Sequence, residues 1–115
     1  MFNFEKLDVY AKAKSFNISV ATFLEKNPSI DRSTKDQLKR AAFSIMLNIA
    51  EGSGRFTARD KKNFYVISRG SVFECVAILD FLKTTGQLDE VSFKQYYAWL
   101  EELSMMLFAM IKGLS

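Results

Sequence analysis

Apolar residues recur at helical spacing through almost the whole chain. Val9, Ala13, Phe16, Val20 and Phe23 follow one another at steps of three and four, which lines one face of a helix. The spacing predicts a first helix from Glu5 to Lys26. Asn27-Pro28-Ser29 ends it, because proline disfavours helical geometry in the residue before it. Leu38, Ala42, Ile45 and Ile49 form the inner stripe of a second helix over Thr34–Glu51. Ser33 is its expected N-cap, with Asp36 as capping-box partner, and Gly52 and Gly54 are its expected stop. A third helix starts after Thr57, which has N-cap spacing to Asp60. Its expected stripe is Phe64, Ile67, Ser71, Cys75, Ile78 and Leu82, running to Lys83, with Gly86 closing it. A fourth starts at Asp89, where Leu88 and Phe93 stand as a hydrophobic staple, and runs through Leu100, Leu103, Leu107, Met110 and Ile111. Strand-like alternation, internal repeats and low-complexity tracts are absent. Long helices joined by short turns run antiparallel to their neighbours. The expected fold is therefore all-α: an antiparallel up-down-up-down four-helix bundle, one domain over residues 1–115.

The apolar surface is wider than one such bundle needs. At 100° per residue, Phe43 and Leu47 lie far round the second helix from its inner stripe. Val66, Phe73 and Val76 lie off the stripe of the third. Tyr96, Tyr97, Trp99, Met105, Met106 and Phe108 occupy most of the girth of the fourth. A helix apolar all round is usually buried all round, so self-association through the back faces is expected. The plainer reading is that single exposed apolar residues are common on monomers.

Composition narrows the chemistry. The chain has 115 residues and no histidine, which removes the usual general base and the commonest zinc ligand. One cysteine, Cys75, can form neither an internal disulfide nor a metal cluster, and fits a reducing, cytoplasmic setting. No apolar run is long enough to span a membrane, and the N-terminus lacks the pattern of a secretory signal. Net charge is +3, but it is unevenly spread. Nine basic and three acidic residues lie between Arg32 and Arg69, so the middle of the chain is positive and the remainder negative.

At "RAAFSIMLNIAEGSGR", Arg40 to Arg55, the sequence resembles the four-helix-bundle proteins encoded in intervening sequences of 23S ribosomal RNA genes. The opening "FEKLDVYAKAKSF" and "SRGSVFE" at Ser68 to Glu74 extend the likeness over nearly the whole chain. Met46 stands where that family often has proline. The resemblance implies an antiparallel bundle that assembles into a ring-shaped homopentamer, and no enzymatic activity. A related bundle, the accessory variability determinant of diversity-generating retroelements, is similar in its basic surface and binds nucleic acid and a reverse transcriptase. RNA or DNA is thereby a candidate partner here, alongside a protein partner.

Two constellations carry the remaining chemistry. Asn48 and Glu51 are three apart on the second helix, and Ser71 and Glu74 are three apart on the third. Paired carboxylates can do acid–base work, but no nucleophile, metal-ligand set or cofactor motif accompanies them. The favoured reading is a structural polar network that fixes how the two helices pair, since buried carboxylates need partners. The second constellation is "GSGR" with the basic residues on its C-terminal side. It lacks the GK[ST] ending of a phosphate-binding P-loop. Lys39, Arg40, Arg55, Arg59, Lys61 and Lys62 are the candidate nucleic-acid contacts, acting on the sugar–phosphate backbone rather than on bases. Arg55 has two directions open to it: inward to Glu51, four residues back, or outward with Arg59 towards a phosphate. Cys75 reads as a small core residue. No cofactor is expected.

Overall fold

The computed structural model describes residues 1–114. A short 3-10 turn, Asn3–Lys6, leads into α1 (Asp8–Glu25), followed by α2 (Arg32–Ser53), α3 (Ala58–Thr84) and α4 (Glu90–Gly113). No strand occurs among the described residues. Each helix packs against its neighbours in the order α1–α2–α3–α4 and back to α1, while α1 and α3, like α2 and α4, lie on the diagonals. This is an antiparallel four-helix bundle, 44 × 24 × 21 Å. The α2–α3 seam is the most extensive and the α1–α4 seam the least.

The helix starts are set by side-chain caps. Asp31 accepts from the Thr34 amide, Thr57 from Asp60 and Asp89 from Ser92, each satisfying an amide with no partner in its own helix. Asp31, not Ser33, is therefore the N-cap of α2: its carboxylate takes the Thr34 amide, which puts Ser33 inside the first turn. The end of α3 is a Schellman closure. Gly86 has φ of 77°, its N–H bonds to the Lys83 carbonyl, and the Gln87 N–H bonds to that of Leu82. Helix α2 passes unbroken through Met46.

The core is one cluster of side chains from all four helices. On α2 the expected stripe of Leu38, Ala42, Ile45 and Ile49 is fully buried, and Val9, Ala13, Phe16 and Val20 face it from α1. On α3 the buried line is Tyr65, Ser68, Ser71, Val72, Cys75, Leu79 and Leu82. It is rotated from the expected one: Ile67 is exposed, and Phe64 and Ile78 are half-buried. This helix has two apolar arcs, and the one that wins contains a serine at its centre. Across the thinner α1–α4 seam the Phe16 ring stands edge-on to both Tyr96 and Trp99. The polar ends of these rings are satisfied by α1: Tyr96 Oη lies 3.0 Å from Ser19 Oγ, and Trp99 Nε1 donates to the Lys12 carbonyl.

Gly52 does not form the hinge between α2 and α3. It is buried inside α2, facing Phe64 and Tyr65 of α3. The turn itself, from Gly54 to Thr57, uses no left-handed residue.

Candidate functional site

The polar residues on α2 and α3 meet, but not as one network. Asn48 Nδ2 donates to the carbonyl and the hydroxyl of Ser44, one turn back on its own helix. The Ser71 hydroxyl donates to the same Ser44 Oγ at 2.7 Å. Asn48 and Ser71 are thus joined through Ser44. Glu74 is separate, accepting from Gln37 across the exposed edge of the seam. Glu51 is separate again, 2.6 Å from Arg55 Nη2. A fourth contact was invisible in the motif: the fully buried Ser68 donates to the Ile45 carbonyl at 2.7 Å. Together Ser44, Asn48, Ser68, Ser71 and the Gln37–Glu74 pair fasten α2 to α3. Asn17 does the same between α1 and α2, donating to Ala13 and Ala42 carbonyls.

Glu51 and Glu74 lie far apart along the bundle, since Glu74 pairs with Gln37, fourteen positions before Glu51 on α2, about 21 Å at 1.5 Å per residue. They share no pocket and no proton. Among the described residues there is no cluster of three or more Cys, Asp or Glu placed to hold a metal. Every buried side-chain nitrogen and oxygen there has a hydrogen-bond partner. Burial, and after it the charge of Glu74, push the Cys75 thiol up to about 12, which keeps it from acting as a thiolate nucleophile.

The six basic candidates fall into two groups. Arg55, Arg59, Lys61 and Lys62 gather at the α2–α3 turn. Lys39 and Arg40 sit on the outer surface of α2, about 24 Å along its axis from Arg55. Within the turn group much of the charge has internal work. Lys61 Nζ donates to the Ser53 carbonyl and so caps the end of α2. Arg55 pairs with Glu51 and lays its guanidinium 4.5 Å from the centre of the Phe64 ring. Its inward direction is the one adopted. Arg59 and the ring of Phe56 face solvent at the turn, and Arg55 stays partly exposed while paired.

Sequence reasoning missed Ser44, Ser68 and Gln37. The signal was present: Ser44 with Asn48 at four, and Ser68 with Ser71 at three, place small polar residues on otherwise apolar helix faces. The off-stripe residues Phe73, Tyr97 and Phe108 line an apolar groove between α3 and α4, whose course the pattern does not show. One stretch, of 410 Å³, is bounded by Phe73, Tyr97, Asp80 and Glu101. It adjoins a second, of 490 Å³, bounded by Arg69, Phe73 and Phe108. Arg69 Nε donates to the Ser104 carbonyl, and its guanidinium lies 5.0 Å from the Phe73 ring centre and 5.4 Å from that of Phe108.

Comparison with known proteins agrees with this architecture. The family model described as 23S rRNA-intervening sequence protein matches residues 5–109. A crystal structure of a protein of unknown function from the S23 ribosomal protein family of Bacteroides thetaiotaomicron superposes with a TM-score of 0.84. It is 21% identical, and the match covers 90% of this chain and 98% of that one. A search of curated proteins finds no match.

Proposed function

The chain belongs to the 23S rRNA-intervening sequence protein family, and from that premise we propose that it works as a non-catalytic, self-assembling helical bundle, a homo-oligomer of five copies in a ring. One observation carries the reading. Large apolar side chains stand exposed on the outer faces of three helices: Phe43 and Leu47 on α2, Val66 and Phe73 on α3, Tyr97 and Phe108 on α4. Exposed apolar side chains in such number mark an interaction surface. Light scattering on the purified chain tests it. The expected mass is about five times the 13.2 kDa of one copy, in keeping with a closed symmetric assembly. A mass of one copy at micromolar concentration overturns it. No helix among the described residues is long and apolar enough to cross a membrane. A cytoplasmic setting is part of the same proposal, in keeping with a single free, buried thiol.

A second reading rests on the α2–α3 turn. Phe56 offers an exposed ring beside Arg55 and Arg59. Basic groups with a stacking platform suit single-stranded RNA or DNA, bound without sequence preference. One weak site repeated around a ring gains strength through avidity. Titrating the assembled protein with labelled oligonucleotides at low and moderate salt tests this. Affinity should fall with salt, and the Arg55→Glu, Arg59→Glu double variant should abolish it. Binding unchanged by that variant moves the site elsewhere. If there is no binding even at low salt, the alternative is a scaffold for a protein partner.

A further inference from the structure

Two exposed faces of one chain match each other in polarity and in spacing. The first is the outer ridge of α2. Arg40, Phe43, Leu47 and Glu51 are all exposed, with Phe43 at 56% and Leu47 at 55%. They follow at steps of three, four and four, so they share one side of the helix. The second is the groove between α3 and α4. Along its α3 wall, in the opposite direction of the chain, stand Asp80, Ala77, Phe73 and Arg69, also at steps of three, four and four. The ridge reads positive, apolar, apolar, negative. The groove wall reads negative, apolar, apolar, positive. Both spans are about 16 Å long at 1.5 Å per residue.

We propose that α2 of one copy lies antiparallel in the α3–α4 groove of the next copy, as the contact that builds the ring. Arg40 meets Asp80, reinforced by Glu101 on the opposite wall. Phe43 and Leu47 pack against Ala77 and Phe73, whose alternation of small and large residues takes the two knobs. Glu51 reaches Arg69. This rests on the self-assembly reading above and names its surfaces.

The charged ends are suited to exchange partners. In the single chain Glu51 pairs with Arg55, and Asp80 lies 3.7 Å from Lys83. In both pairs the carboxylate is well exposed and its partner is only three or four residues away, an arrangement that contributes little. Arg69 is held by Ser104 and between two aromatic rings, a fixed guanidinium in an apolar setting. That is the usual make-up of an energetic anchor at an interface. Ridge and groove are different surfaces of one chain, so the contact is head-to-tail and propagates until it closes. An α2 ridge meeting a second α2 ridge would instead stop at a dimer and leave the groove empty.

Charge reversal separates these cases. Arg40→Asp and Asp80→Arg alter exposed side chains, so circular dichroism should show both variants folded. Light scattering over a dilution series should show each assembly dissociating at a concentration at least about tenfold higher than the wild type, because like charges then face each other. Combining the two reversals should recover assembly in part, since Glu101 still faces the acidic side chain at position 40. As a second measure, Leu47→Cys with Phe73→Cys should join copies into a ladder when a short bis-maleimide is added, since Cys75 is buried and stays unreacted. A wild-type oligomer that Asp80→Arg leaves intact, a double reversal without recovery, or the absence of a ladder overturns these faces while the assembly reading stands. A monomeric wild type overturns both.

Discussion

Gly52 and Tyr65 touch across the α2–α3 seam. A methyl group at Gly52 would lie 2.8 Å from the Tyr65 Cε1 and 3.0 Å from the Phe64 Cβ. Tyr65 is buried and the Phe64 Cβ is tied to its backbone, so neither yields cheaply. Alanine would gain about 1 kcal/mol of helix propensity, against about 1–3 kcal/mol for overpacking. Gly52→Ala should therefore lower stability by about 1 kcal/mol, read as an earlier urea midpoint. A variant as stable as the wild type would mean that the helices separate there at no cost.

The buried polar contacts of the same seam should outweigh the exposed ones. Asn48→Leu removes both hydrogen bonds to Ser44 and crowds a leucine into their place, a loss of about 1–2 kcal/mol. Ser68→Ala removes the hydroxyl that ties α3 to the Ile45 carbonyl, a loss of about 1 kcal/mol. Glu74→Gln, at the exposed edge, should change stability by less than about 0.5 kcal/mol. Chemical denaturation of the three variants tests the order. A Glu74→Gln loss equal to that of Asn48→Leu would place the important contact at the rim.

Cys75 should make the fold sensitive to alkali. Its thiol is raised to about 12 in the folded chain from an ordinary value of 9.0, mainly by burial and then by Glu74. Between these values the folded state keeps a proton that the unfolded state has lost, so stability falls as pH rises above about 9. Cys75→Ala should lower overall stability through the cavity it leaves, yet flatten the decline between about pH 8.5 and 10. Tyr65, also raised by burial, adds its own loss only above its ordinary value of 10.0. An identical slope in wild type and variant would contradict the assignment.

At the other extreme of pH, Asp89 governs the start of α4. Its carboxyl is held below the ordinary 3.8, first by the Ser92 amide and then by the Ser92 hydroxyl. Stabilisation from a lowered carboxyl is present above its ordinary value and lost as pH falls through the folded one. Amide exchange at Val91, Ser92 and Phe93 should therefore quicken below about pH 4 relative to the core. Asp89→Asn keeps a capping oxygen without the charge, and should make protection there, relative to the core, insensitive to acid.

Much of the bundle is legible in the amino-acid pattern, because period and punctuation carry most of the information in a helical fold. Leu38, Ala42, Ile45 and Ile49 form the longer apolar arc of α2, outweighing Phe43 and Leu47 on its far side, and are all buried. Thr57 and Asp89 stand where caps must stand. Helix α3 is harder. Apolar residues on two arcs satisfy the same period, and the deciding residue, Ser68, is polar and leaves no mark in a hydrophobic pattern. A buried serine is inexpensive when a helix carbonyl accepts from it, and periodicity does not reveal that. Gly52 reads as punctuation along the chain, yet its role is steric, a distinction visible only once Tyr65 is placed opposite. The basic segment looks like one patch when charge is counted along the chain. The helix axis carries Lys39 and Arg40 well away from the turn. Arg55 is the clearest gain: of its two directions, it takes the one towards Glu51 and Phe64.

The turn between α2 and α3 is built entirely from ordinary right-handed and extended backbone, with no left-handed position to reserve for glycine. Its neighbours are fastened elsewhere, by Lys61 on Ser53, Ser71 on Ser44 and Ser68 on Ile45. The loop tip from Gly54 to Phe56 is consequently a writable site. At the fully exposed Phe56 the residue can be exchanged or a short peptide spliced in while the four helices keep their register. In an assembly every copy would display the graft once, at an identical height, so a single inserted tag becomes a patterned, multivalent display.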